Sequence, residues 1–117
     1  MKSKDLQERI KKFAHDCVKL SARLPNIYLG NHIKGQLIRC SASSAADYRA
    51  ACLAQLKASF ITKLSIVIEE IDESYFWLEY ILDEKLLKRE AITPLLKEAY
   101  ELTAIFTKSR ITARRES

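Results

Sequence analysis

The sequence predicts an all-α fold, an antiparallel up-down-up-down four-helix bundle, and three observations carry that prediction. Turn residues are scarce: 117 residues hold two glycines and two prolines, too few for a sandwich, a barrel or repeated strand and helix units. Apolar residues recur at spacings of three and four along most of the chain, the period of an amphipathic helix. The length allows one domain with one core, so long helices must fold back on one another. Hydrophobic residues at 48% and charged residues at 30% exclude disorder. A single domain over residues 1–117 is expected, with a short basic tail from about residue 110.

The first helix is read from Leu6, Ile10, Phe13, Cys17, Leu20 and Leu24, which share one side of a helix. Asp5 followed by Glu8 has the form of a capping box, and Pro25 ends the element after Leu24. Asn26 to Gly30 reads as a loop, with Asn31 as N-cap of a second helix from His32. No strong turn residue then interrupts the chain until about Glu90, which would allow a rod of about 90 Å, far too long for this domain. The apolar stripe changes phase between Ile33, Leu37, Cys40, Ser44, Tyr48, Ala51 and the later set Phe60, Leu64, Val67, Ile71, Tyr75, Leu78, Leu82. The reversal is therefore expected between Leu53 and Ser59. A last helix is expected from Thr93 and Pro94, an N-cap followed by proline at the first helical position, carried inward by Leu95, Ala99, Leu102 and Phe106 to about Ala113. The small residues from Cys40 to Ala46 are expected to let a neighbouring helix approach closely.

Charge is unevenly placed. The net +5 divides into +6 over residues 1–40, −4 over 41–107 and +3 over 108–117. Basic ends and an acidic middle favour an anionic partner or contacts between basic and acidic surfaces of the protein itself. Arg9, Lys12, Lys19 and Arg23 form a stripe on helix 1, and Lys108, Arg110, Arg114 and Arg115 are expected to join it at the bundle end. Together they could neutralise several phosphates of RNA or DNA in a salt-sensitive way. Helix 3 carries a second apolar row, Ile66, Trp77 and Tyr80 with Phe76 alongside, roughly opposite its core face. Aromatics left on an outer face invite association, so a homo-oligomer is expected with these residues at its interface.

The residues offer little for catalysis. His15 and His32, the two histidines, lack the Glu-x-x-His pattern of a di-metal bundle, no Gly-rich phosphate loop can form, and no nucleophile and base accompany Glu69, Glu70, Asp72 and Glu73. No enzyme activity, no metal and no cofactor are expected, and Glu70 is read as the structural partner of Arg39. Cys17, Cys40 and Cys52 show no metal spacing and no apolar signal segment opens the chain, which points to a reducing cytoplasm. No apolar run approaches the roughly 20 residues that cross a bilayer, so no membrane partner is expected.

The order of Asp5-Leu6, Phe13-Ala14, Leu24-Pro25, Gln36-Leu37-Ile38-Arg39, Ser44, Tyr48-Arg49, Phe60-Ile61, Lys63-Leu64, Glu70 and Trp77-Leu78 resembles the four-helix bundle family of proteins encoded in intervening sequences of bacterial large-subunit ribosomal RNA genes. It is similar also to accessory proteins of diversity-generating retroelements. The resemblance implies a ring of five subunits and a partner such as a reverse transcriptase or another ribonucleoprotein. The chain departs from the family pattern at Asp47, usually Asn, at Ala50, usually Glu, and at Leu56, where a Ser would cap helix 3. The expected function is that of a non-enzymatic oligomeric bundle binding nucleic acid or a ribonucleoprotein; the alternative is a homo-oligomeric scaffold that never meets a phosphate.

Overall fold

A computed structural model describes residues 1–116; Ser117, the last residue of the expected tail, lies outside the described residues. Four helices follow in order, α1 (Ser3–Ser21), α2 (Tyr28–Cys52), α3 (Lys57–Asp83) and α4 (Arg89–Arg115), with no strand among the described residues. Each packs on the next and α4 closes back on α1 over a smaller surface, while the backbones of the diagonal pairs stay apart and only side chains meet across the core. The bundle is 48 Å long and 20 × 19 Å across. Its core takes most of the stripes read from the sequence: Ile10, Phe13 and Cys17 of α1, Ile33, Leu37 and Cys40 of α2, Leu64, Val67, Ile71 and Leu78 of α3, and Ala99, Leu102 and Phe106 of α4. On α3, Ser74 and Ile81 are buried as well, whereas Phe60, Tyr75 and Leu82 are half-buried at its edge. Tyr48 meets Phe106 with ring centroids 4.7 Å apart.

Buried serines keep the α2–α3 contact close without leaving polar groups unpaired. Ser44 donates to the Ser41 carbonyl at 2.7 Å and Ser74 to that of Glu70 at 2.9 Å, so each hydroxyl is satisfied within its own helix.

The ends of the helices differ from expectation, each for a local reason. Lys2 is the N-cap of α1 and makes no side-chain cap bond. Asp5 thus lies inside the first turn, where its charge faces the positive end of the helix dipole, and no Asp5–Glu8 capping box forms. Residues Ala22 to Leu24 form a terminal turn beyond the α-helix, held by Leu24 N–H on the Ser21 carbonyl at 3.1 Å. The second helix begins at Tyr28, with extended Ile27 before it, so Asn31 is an early helical residue whose amide bonds Asn26 at 3.0 Å. The earlier start is possible because Gly30 has no side chain: a Cβ there would stand 2.1 Å from the Pro25 carbonyl oxygen.

Residues 53–56 connect α2 and α3, inside the window that the stripe phase marks. The fourth helix starts at Arg89 after Lys88, upstream of Thr93, and Pro94 falls in its second turn, where it withholds one hydrogen bond from the exposed side. The α3 end closes as a Schellman motif: Leu86 N–H reaches the Ile81 carbonyl and Lys85 N–H that of Leu82, both at 3.1 Å. Lys85 takes the left-handed position, φ 54°, that glycine usually fills, which is why the sequence hides this turn. At the other end α4 continues through Arg115, so the basic residues of the expected tail lie on its last turns.

Candidate interaction surfaces

The expected basic face is divided by the fold. Arg9 is directed at α4, where its Nε and Nη2 meet the two carboxylate oxygens of Glu98 at 2.8 and 2.7 Å, and Nη2 also reaches Glu101 at 3.3 Å. This fork-to-fork pair raises the guanidinium pKa further and fixes the antiparallel register of α1 on α4. Lys12 pairs with Asp16 one turn on, at 2.7 Å, and the carboxylate raises its pKa. Arg110 turns toward α3, its Nη1 on Ser65 Oγ at 3.2 Å and its Nε covered without a partner. Lys19 and Arg23 are exposed near the end of α1, the end that the antiparallel register sets far from the end of α4. Lys108, Arg114 and Arg115 are exposed on the last turns of α4, and Lys57 closes on them with its Nζ 3.0 Å from the Glu116 carbonyl oxygen. The start of α1, with Lys2 and Lys4 exposed, belongs to this same end. The fold therefore gathers one basic end and leaves no continuous basic stripe.

On α3, Ile66, Phe76 and Tyr80 are exposed, while Trp77 is half-buried against the core. The indole meets Phe76 at 5.0 Å, Tyr80 at 5.7 Å and His32 at 5.6 Å between ring centroids, and His32 stacks on Tyr28 at 6.4 Å. An aromatic ridge thus joins the start of α2 to the end of α3. His32 and Tyr28 extend it beyond what the α3 pattern predicts; their spacing of one helical turn was the available signal.

The polar pair expected between Arg39 and Glu70 is replaced. Arg39 pairs with Glu73, with Gln36 as a further partner at 3.1 Å, because Glu73 stands one turn nearer in register. Glu70 faces Asp47 instead. Burial is the main cause that lifts the Glu70 carboxyl to about 8, the hydrogen bond and charge of Asp47 add to it, and Arg39 opposes it. One oxygen of Glu70 is covered and has no partner. The Glu70 carboxyl so placed holds its proton at neutral pH. The sequence marked the position, since Asp47 stands where the family it resembles usually has Asn, but nothing in the spacing paired it with Glu70.

The thiols of Cys17 and Cys40 are buried, and burial pushes both up. Among the described residues no group of three or more His, Cys, Asp or Glu gathers as a metal site, and no helix is long and apolar enough to cross a membrane.

One surface was not foreseen. A groove of about 630 Å³ runs between α1 and α2, its bed formed by Ala14, Val18, Ala42, Ala45 and Ala46 and its rim by Lys4, Lys11, His15 and Arg49, with Glu8 among them. The small residues of α2 are therefore of two kinds: Cys40, Ser41 and Ser44 are buried, whereas Ala42 and Ala46 face outward. The spacing of Ala42 and Ala46, one helical turn, is the available signal, although the run from Cys40 to Ala46 reads in the sequence as packing alone.

No protein-family model matches the chain, and comparison with the curated proteins finds no match. Among solved structures it is similar to a protein of unknown function from the S23 ribosomal protein family of Bacteroides thetaiotaomicron VPI-5482, at 27% identity over 90% of this chain and 97% of that one, TM-score 0.83. The four-helix architecture thus recurs over nearly the whole of both chains.

Proposed function

We propose that the protein is a non-enzymatic, self-associating four-helix bundle that binds nucleic acid, or a ribonucleoprotein, through one basic end. The observation that carries this reading is the gathering of Lys2, Lys4, Lys57, Lys108, Arg114 and Arg115 around the start of α1 and the end of α4. A cluster of exposed cations at the tip of a narrow bundle attracts phosphate by charge and displaced counterions, without reading bases. The similarity to a member of the S23 ribosomal protein family supports placing the chain in that family and near the intervening-sequence proteins that its residue order resembles. With that placement come a ring of five subunits, a reverse transcriptase or other ribonucleoprotein as partner, and a cytoplasmic setting.

Binding of a labelled RNA or DNA should fall steeply with salt. Replacing Lys108 and Arg115 by Gln should weaken it at least several-fold and flatten the salt slope, whereas replacing Lys19 and Arg23 should change it less. Equal losses from the two pairs would refute the single-end reading, and absence of binding at low salt would sink it. A second reading, the scaffold that meets no phosphate, is favoured by the internal pairing of Arg9 and Lys12; in that case no labelled RNA or DNA binds even at low salt.

A further inference from the structure

The groove between α1 and α2 and the outer face of α3 are complementary in shape, length and charge. The groove bed is alanine except for Val18, which leaves room for large side chains and for close approach of another helix. From Lys4 to Val18 it follows α1 for about 21 Å at helical rise. On α3, Ile66, Phe76 and Tyr80 are exposed large side chains on one stripe, and Ile66 to Tyr80 also spans about 21 Å. The rim of the groove carries Lys4, Lys11 and Arg49 against the single acidic Glu8, a net positive margin. Beside the α3 stripe stand Glu69 and Asp72, both exposed and without an ion pair among the described residues, so the charges oppose in sign.

We infer that the groove of one subunit receives the α3 ridge of a second copy of this chain. The inference rests on the self-association proposed above and names the acceptor surface. Within one subunit the two surfaces cannot meet, since α3 turns Ile66, Phe76 and Tyr80 away from its own bundle and its backbone does not approach that of α1. The contact is therefore heterologous, groove to ridge, with each subunit offering one of each. Such contacts repeat around an axis and close into a ring when the rotation permits, whereas a ridge-to-ridge contact would stop at two subunits. Bulky aromatics seated in a small-residue bed supply the buried anchors, and the oppositely charged margins fix direction and register.

The test uses two surface variants and their mixture, with mass read by sedimentation velocity and folding by circular dichroism. Ala42→Arg fills the groove but keeps the ridge; Phe76→Arg places a cation on the ridge but keeps the groove. Each alone should be a folded monomer. Mixed in equal amounts they share one intact groove and one intact ridge, and should form a one-to-one dimer that grows no further. Should Ala42→Arg fail to fold, Lys11→Glu on the rim takes its place and should weaken assembly at least tenfold, with recovery when it is mixed with Glu69→Lys. An unaltered protein that is monomeric at micromolar concentration would overturn self-association and this contact together. A groove variant that assembles as the unaltered protein does would overturn the groove alone. Two folded monomers that stay monomeric when mixed would show a self-complementary contact and overturn the groove-to-ridge pairing.

Discussion

The two polar seams of the bundle handle carboxylates in opposite ways. Between α1 and α4, Arg9 sits across Glu98 and Glu101 with short bonds to both oxygens of Glu98, so every charge there has an opposite. Between α2 and α3, Arg39 is taken by Glu73, and Glu70 is left with Asp47 and a raised carboxyl. A bidentate guanidinium can define the register of two helices while staying ionised at any ordinary pH. The buried Glu70 carboxyl packs beside Asp47 most favourably while it holds its proton. One seam thus keeps its cation at any ordinary pH, and the other is sensitive across the neutral range.

Removing Arg9 should have the larger effect. Arg9→Ala leaves Glu98 and Glu101 facing the seam without a counter-charge, and should cost about 1–2 kcal/mol, since the pair is only partly shielded from water. Chemical denaturation measures the cost. Arg9→Lys should recover less than half of it, because an ammonium cannot reproduce the fork. Full recovery by lysine would mean that charge alone holds this seam.

The α2–α3 seam should respond to pH with a definite sign. Glu70 holds its proton to about pH 8 when folded, whereas the unfolded chain releases it near the ordinary carboxylate value, about 4.3. Between those limits the folded state binds more protons, so stability is greatest in acid and declines as pH rises toward 8. Glu70→Gln should abolish that decline and stabilise the protein by about 1 kcal/mol at pH 8, a figure discounted for the partial exposure of the carboxyl. Asp47→Asn should remove a smaller part, because burial is the first cause of the shift and Asp47 the next. Urea midpoints at pH 5, 7 and 9 provide the test; an unchanged slope in Glu70→Gln would assign it to another group.

The interior was legible because period and phase survive without any turn residue. The buried positions of α2, Ile33 through Ala51, and the phase change before Phe60 needed only the spacing of apolar side chains, which is the property that burial selects. Helix ends were less legible, since they depend on backbone fit: Gly30 serves by the room it leaves under Pro25, and Lys85 occupies a left-handed turn against its usual preference. The candidate surfaces were legible as residue types but not as partners. Nothing in the spacing of Arg9 tells that Glu98, far along the chain, will claim it. The sequence marked exposed aromatics on α3, but the groove lined by Ala42 and Ala46 exists only once α1 lies beside α2.

The smallest expected effect comes from the turn that joins the two seams. Lys85 holds φ 54°, and a left-handed conformation costs a side chain roughly 1 kcal/mol relative to glycine. Lys85→Gly should therefore stabilise the protein, by about 0.5 kcal/mol once the greater freedom of glycine in the unfolded chain is subtracted. The gain should be independent of pH, since the Schellman bonds from Leu86 and Lys85 are made by the backbone. It should also add to the effects of Arg9→Ala and Glu70→Gln, because the turn shares no partner with either seam. A double variant of Lys85→Gly with Glu70→Gln measures this: departure from additivity beyond about 0.5 kcal/mol would mean that the turn and the α2–α3 seam adjust together, and that Glu70 is held by the pitch of α3 rather than by its own proton.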